Sequence, residues 1–131
     1  MTDRAKESIF NVLGTQCEDA RVLDLFAGSG SLGIEALSRG ASLACFVESL
    51  REARSCIKRN LEVLGLGSRA RLVPVPVFQA IRVLEKRGES FNLVFLDPPH
   101  NKGLIKKVLR RLERSDIVTS FGKAVVGHSN L

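Results

Sequence analysis

RVLDLFAGSGSLG, residues Arg21–Gly33, predicts a buried strand, a glycine-rich turn and the start of a helix. The apolar run over 22–26, with Asp24 inside it, is typical of a central strand in a parallel sheet. Three glycines follow at the spacing G-x-G-x-x-G, namely Gly28, Gly30 and Gly33. Such a turn lets a ligand approach the backbone closely, and the N–H groups at the start of the helix favour a negatively charged group.

Two acidic residues narrow the choice of ligand. Asp24 lies in the strand, four residues before Gly28, where a carboxylate suits a cationic ligand better than a pyrophosphate. Glu48 ends the next apolar run, 20 residues after Gly28, and an acid at that distance is placed to bind ribose hydroxyls. The pair favours S-adenosylmethionine over NAD. The alternative is that Asp24 caps a local structure and Glu48 is a surface charge at a strand end.

Length and composition indicate the class of protein. The 131 residues suggest one domain, 1–131, and no apolar run approaches the roughly 18 residues of a membrane span. We therefore expect a cytoplasmic monomer that does not bind membranes. Three cysteines without a C-x-x-C pair argue against a disulfide framework or a metal site. The net charge of +6 favours a polyanionic partner.

Strand and helix patterns alternate along the chain. Strands are predicted over 22–26, 41–47, 71–77, 91–96 and 123–126, and helices over 2–13, 31–38, 49–64, 78–86 and 102–114. In the first helix, the inward face is predicted to hold Ala5, Ile9, Val12 and Leu13. A capping box over 49–52 predicts the start of the third helix. The inward face of this helix is predicted to hold Ala53, Cys56, Ile57, Asn60, Leu61 and Leu64. Pro74 and Pro76 predict a short, edge or irregular third strand.

This alternation predicts an α/β fold, a doubly wound, mostly parallel sheet with helices on both faces. Such sheets bind ligands at the carboxyl ends of their strands. The glycine turn, Glu48 and residues 97–100 should therefore meet at one edge of the sheet.

The second chemical element is Asp97-Pro98-Pro99-His100, which follows the fourth predicted strand. Neither proline has an N–H group, so a carboxylate and neighbouring carbonyls form a rigid set of acceptors. Such a set suits an exocyclic amine, and the ring of His100 can stack on a planar base. The alternative is a proline-rich turn with His100 in solvent.

Together these residues resemble the RsmD family of bacterial 16S rRNA guanine-N2 methyltransferases. The matching segments span nearly the whole chain: TDR at 2–4 with Glu7, Phe10 and Asn11, LDLFAGSGSLG at 23–33, EALSRGA at 35–41, FVE at 46–48 and FNLVFLDPP at 91–99. The glycine motif and Asp-Pro-Pro are shared with many amino-methyltransferases. The first helix and EALSRGA narrow the resemblance to this family.

The resemblance implies a Rossmann-like class I methyltransferase, with a sheet shortened at both ends, that methylates the N2 amine of a guanine. Its cofactor would be S-adenosyl-L-methionine and its partner 16S rRNA or the assembling small ribosomal subunit. The cofactor-binding residues would be Asp24, Phe26, Gly28, Gly30 and Glu48. The catalytic residues would be Asp97, Pro98, Pro99 and His100.

Several departures from the family pattern leave other functions open. His100 stands where the family usually has Tyr, and residues 76–79 are mainly apolar where the family usually has Asp or Asn. The family's opening and closing hairpins have no counterpart in the 131 residues. One alternative is an amino-methyltransferase for adenine N6 in DNA or RNA, or for a protein amide. Another is a non-catalytic member that binds cofactor or RNA. Asp24 argues against an NAD-dependent dehydrogenase.

Overall fold

A computed structural model describes residues 2–98 and 102–127, the side chain of Lys102 excepted. Within these ranges, helices and strands alternate as the sequence predicts. The helices are α1 (Asp3–Leu13), α2 (Ser31–Ser38), α3 (Arg51–Leu64), α4 (Val77–Lys86) and α5 (Lys102–Glu113). The strands are β1 (Arg21–Asp24), β2 (Leu43–Val47), β3 (Ala70–Val73), β4 (Phe91–Leu96) and β5 (Val118–Val126). Short 3-10 helices cover Gly14–Cys17 and Gly67–Arg69.

The strands form one parallel sheet with the order β3-β2-β1-β4-β5. The chain runs outward from β1 to β3 and then crosses to β4 on the other side of β1, so the sheet is doubly wound. This order confirms the predicted Rossmann-like α/β fold. In register, Asp24 lies opposite Phe46 of β2 and Phe95 of β4, which brings the ends of these three strands together.

Helices cover both faces of the sheet. The first core lies under α1, α2 and α3, which bury Phe10, Leu13, Leu32, Ala36, Leu37, Ile57 and Leu61. The second core lies under α4 and α5, which bury Val77, Ala80, Ile81, Leu84, Val108 and Leu112. Alternate residues of β4 serve the two cores, since Leu93 and Phe95 belong to the first and Val94 and Leu96 to the second.

The two outer strands differ in how well the sequence predicts them. β3 is a short edge strand that ends before Pro74, and Pro76 caps α4, which confirms the interpretation of the two prolines. β5 begins at Val118, five residues earlier than predicted. Its pairing with β4 shifts register between Phe91 and Leu93. The residues added at the start of β5 have no alternation of apolar and polar positions that would have predicted a strand. The large apolar side chain among them, Phe121, is 97% exposed.

The predicted inward faces of α1 and α3 are partly wrong. Thr2 caps α1, accepting a hydrogen bond from the Ala5 N–H at 3.1 Å. Phe10 is fully buried, whereas Val12 is 82% exposed. The ring of Phe10 packs on Phe95 at a centroid distance of 5.6 Å, so a tertiary contact decides which side of α1 faces the sheet.

The predicted capping box of α3 does not form. The N-cap is Leu50, and the helix has no side-chain cap. The N–H of Leu50 instead donates to Glu48 Oε2 at 3.0 Å. Asn60 and Leu64, both predicted to face inward, are exposed, whereas Ile57 and Leu61 are buried as predicted. Gly65 ends the helix with a left-handed backbone.

The third glycine of the motif is required by packing. A Cβ added at Gly33 would lie 2.4 Å from Cε1 of Phe46, whose ring is fully buried between α2 and the sheet. We expect Gly33→Ala to lower the free energy of unfolding by about 1–3 kcal/mol, the usual cost of overpacking a core. Urea denaturation measures the change. Ser38→Ala, an exposed change on the same helix, is the control, and equal stability of both variants would contradict the packing role.

Candidate functional site

The glycine turn is held over the carboxyl end of β1 by hydrogen bonds from several elements. Asp24 Oδ2 accepts from the N–H of Gly33 at 3.2 Å, and the Gly30 N–H donates to the carbonyl of Ala27 at 2.7 Å. Gly30 has a φ of +84°, which favours glycine, and it caps α2. From α3, the Asn60 side-chain amide donates to the carbonyl of Ser29 at 3.1 Å. These bonds fix the backbone of the turn before any ligand arrives.

Asp24 is the unusual group of this site. It is 1% exposed, and its Oδ1 has no hydrogen-bond partner among the residues that the structure describes. Burial raises the pKa of Asp24 to about 7. The hydrogen bond from Gly33 opposes this rise, and the negative charges of Asp97 and Glu48 add to it. A buried carboxylate oxygen without a partner is costly, so it is suited to receive a cationic ligand.

Glu48 lies beside the glycine turn at the end of β2. Its Oε1 accepts from the N–H of Gly28 at 2.8 Å, and its Oε2 accepts from the N–H of Leu50 at 3.0 Å. The carboxylate is therefore oriented by backbone groups on both sides. A carboxylate has about four acceptor positions, so two remain for a ligand.

The residues after β4 lie beside this carboxylate pair. Asp97 is partly buried and Pro98 is buried, immediately after the last residue of β4. The backbone there is pinned by the Gly127 N–H, which donates to the carbonyl of Leu96 at 2.8 Å. Asp97 is close enough for its charge to raise the pKa of Asp24. Pro99 and His100, the other two predicted catalytic residues, lie outside the described residues.

The remaining predicted contact, Phe26, is partly buried and packs against the second core. Backbone hydrogen bonds hold the residues on both sides of it. The N–H of Leu25 donates to the carbonyl of Phe95 at 3.1 Å, and the N–H of Ala27 donates to the carbonyl of Val47 at 3.1 Å. The structure therefore brings Asp24, Phe26, the glycine turn, Glu48 and Asp97 to one edge of the sheet. We call this edge the rim: the carboxyl ends of β1, β2 and β4.

Sequence reasoning missed one residue that shapes the rim. Asn60 was predicted to face inward, but it is exposed and holds the Ser29 carbonyl of the glycine turn. A polar side chain inside the apolar stripe of α3 was the available signal. The rim thus combines a buried carboxylate below the glycine turn with a second carboxylate at the end of the neighbouring strand. This combination suits a cationic ligand and a substrate that carries an amine.

Comparisons with known proteins agree with this geometry. Ribosomal RNA small subunit methyltransferase D of Escherichia coli K12 is 42% identical over 112 residues, covering 86% of this chain and 54% of that protein. The hypothetical protein TTHA0928 of Thermus thermophilus superposes with a TM-score of 0.85 at 34% identity, covering 96% of this chain and 72% of that one. A SAM-dependent methyltransferase from Agrobacterium tumefaciens, 22% identical, covers 74% of this chain and 32% of that one with a TM-score of 0.64, and shows the fold alone.

The family comparison covers almost all of the sequence. The chain spans about half of the length of the Escherichia coli relative, so the relative's name applies to a longer protein. A family model described as Conserved hypothetical protein 95 matches residues 1–130. The chain therefore belongs to that family, the RsmD family.

Proposed function

We propose that this chain, acting as one domain over residues 1–131, transfers a methyl group from S-adenosylmethionine to the exocyclic N2 amine of a guanine in 16S rRNA. The observation that carries the proposal is the buried Oδ1 of Asp24, which has no partner within the described part of the chain. It lies under a glycine turn and beside Asp97. The name of the relative, ribosomal RNA small subunit methyltransferase D, supports the rRNA substrate.

The rim fits the proposed cofactor. Asp24 supplies a negative charge for the cationic methionine end, and Glu48 supplies two free acceptor positions for ribose hydroxyls. A Cβ added at Gly28 would meet no atom of the described residues within 4 Å, so on this side the turn leaves room for a ligand to approach its backbone. Gly30 and Phe26 complete the proposed contacts. When bound, S-adenosylmethionine supplies a methyl group activated by a sulfonium.

The residues after β4 would hold the methyl acceptor. Asp97 accepts a hydrogen bond from the target amine and so orients the nitrogen lone pair, while the carbonyl of Pro98 offers a second acceptor. Pro99 and His100 lie outside the described residues; in this proposal the first would stiffen the segment and the second would stack on the base. The base must be unstacked to reach Asp97, at a cost of about a few kcal/mol. In this proposal the protein acts as a cytoplasmic monomer on 16S rRNA or the assembling small subunit.

No helix in the described ranges is long and apolar enough to cross a membrane.

Calorimetric titration with S-adenosylmethionine, with NAD as the control, tests the cofactor. We expect micromolar binding of S-adenosylmethionine alone. Incubation with unmodified 16S rRNA, followed by mass spectrometry of the nucleosides, then tests for N2-methylguanosine. Binding without methylation would favour a non-catalytic member of the family, and methylation of adenine would favour another amino-methyltransferase.

Replacing Glu48 separates its two roles at the rim. Glu48→Ala removes the acceptors for Gly28 and Leu50 as well as those proposed for the ribose. Glu48→Gln keeps an oxygen for Gly28 but removes the charge. We expect both variants to weaken S-adenosylmethionine binding by about 1–3 kcal/mol, the range for hydrogen bonds to charged groups. Calorimetry measures the affinity, and unchanged binding by both would restrict Glu48 to holding the turn.

A further inference from the structure

Positive charge is concentrated on one of the two helix layers. The layer of α1, α2 and α3 carries six basic and five acidic residues. The layer of α4 and α5 carries seven basic and two acidic residues. Most of the net charge of +6 therefore lies on the α4–α5 layer.

Most of the basic side chains that the structure describes in this layer are not paired with acids. Arg111 pairs with Glu85, with Nη1 at 2.8 Å from Oε2, which ties α5 to α4. In contrast, Lys106, Arg110 and Arg114 are exposed, and no ion pair holds them among residues 2–98 and 102–127. Their charges are available to a partner.

These three residues form a stripe that starts near the rim. Lys106, Arg110 and Arg114 follow one another at intervals of four residues, the last directly after α5, so they share one side of the helix with a rise of about 6 Å per interval. Helix α5 begins four residues after Pro98. We call the three residues the α5 stripe. It leads away from Asp97 along the outer surface of the protein.

We infer that the α5 stripe binds the phosphate backbone of the RNA whose base is presented at Asp97. The identity of the RNA rests on the proposed function, whereas the phosphate-binding surface rests on the charges. Contacts to phosphates position a nucleic acid without reading its sequence. A base that is displaced into a site needs the strand on either side of it to be held in this way.

The surface chemistry favours RNA over an acidic protein. Protein interfaces have an apolar or aromatic centre and are depleted in lysine. The exposed large hydrophobic residues within the described ranges are Val12, Leu50, Val63, Leu64, Phe78 and Phe121, and none belongs to α5. An uninterrupted row of cations without such a centre matches a phosphate chain.

A pair of triple variants tests the stripe. The first is Lys106→Gln, Arg110→Gln and Arg114→Gln. The matched control is Arg4→Gln, Arg51→Gln and Lys58→Gln, which removes three exposed cations from the other helix layer. Both lower the net charge by three. Circular dichroism and S-adenosylmethionine titration verify that each variant is folded, and filter binding of unmodified 16S rRNA between 50 and 200 mM salt measures the affinity.

We expect the stripe variant to bind 16S rRNA at least about tenfold more weakly, with a slope of log affinity against log salt that is shallower by about 2. The control should change the affinity by less than about twofold. Equal losses in both variants, no loss in either, or no rRNA binding by the wild type would overturn the inference. Competition by polyglutamate as effective as that by rRNA would assign the surface to an acidic protein and overturn it too.

Methyl transfer by the same preparations separates this inference from the proposed function. A wild type that binds rRNA through the stripe but transfers no methyl group contradicts the proposed function and supports the surface. A wild type that methylates rRNA while both triple variants bind equally well contradicts the surface and supports the function.

Discussion

Asp97→Ala is expected to abolish methyl transfer while leaving the affinity for S-adenosylmethionine nearly unchanged. Asp97 is assigned to the target amine, whereas Asp24 and Glu48 are assigned to the cofactor. Losing the acceptor that orients the amine should lower kcat at least about 10²-fold, the scale of a misplaced reacting group. The negative charge of Asp97 also raises the pKa of Asp24, so its removal should not weaken the binding of a cation at neutral pH.

The measurement is a single-turnover methylation assay on 16S rRNA together with cofactor calorimetry on the same protein. Asp116→Ala is the control, since Asp116 is an exposed carboxylate in the turn after α5, next to the start of β5 and away from the rim. Asp97→Asn keeps one acceptor oxygen for the amine but removes the negative charge, so it should lose less activity than Asp97→Ala. Parallel losses of cofactor affinity and rate in Asp97→Ala would contradict the assignment to the amine.

The sequence predicted which residues reach the rim but not how they are bonded there. Asp24, Glu48 and Asp97 follow from strand patterns, because parallel strands end at the same edge of a sheet. Two features could not be predicted: Oδ1 of Asp24 has no hydrogen-bond partner among the described residues, and Glu48 accepts from the Gly28 N–H. Both depend on side-chain geometry between segments that are distant in sequence.

The errors in the helices have the same cause. Val12 and Phe10 lie on opposite sides of α1, and periodicity alone gave no reason to prefer the phenylalanine. Its contact with Phe95 of β4 makes that choice. The capping box over 49–52 would make Ser49 the N-cap, with Glu52 accepting from the Ser49 N–H. The helix instead begins one residue later, with Leu50 as the N-cap and its N–H donating to Glu48, a residue of the rim. A contact with a residue outside the motif thus replaced the local helix signal.

Asp24→Asn is expected to weaken cofactor binding strongly and also to stabilise the protein above neutral pH. The raised pKa, about 7 against an ordinary value of 3.8, means that the folded state holds a proton that the unfolded state releases. Between these two values the stability of the wild type therefore falls as pH rises, and it stays lower above pH 7. The shift corresponds to about 4 kcal/mol at most, since each unit of pKa is worth about 1.4 kcal/mol.

Asparagine carries no charge, so the variant should lack this loss while its side-chain oxygen still accepts from Gly33. Urea denaturation at pH 5 and pH 8 measures the difference, and the advantage of the variant should be larger at pH 8 by about 3 kcal/mol at most, because pH 5 lies inside the window in which the wild type loses stability. Asp19→Asn, an exposed change where asparagine tolerates the positive φ of 60°, is the control. A variant that is less stable than the wild type at pH 8 would contradict the buried charge.

The carboxylate of Asp24 must be ionised to attract a cation, whereas the folded protein is more stable when this carboxylate is protonated. Wild-type affinity for S-adenosylmethionine should rise between pH 6 and pH 8, with a proton released on binding near pH 7. Calorimetry in buffers of different ionisation enthalpy measures that proton. The asparagine variant should bind at least about 100-fold more weakly, with no pH dependence, because an amide leaves the positive charge unpaired. If the variant bound S-adenosylmethionine as tightly as the wild type does, the role of Asp24 in binding the ligand would be contradicted.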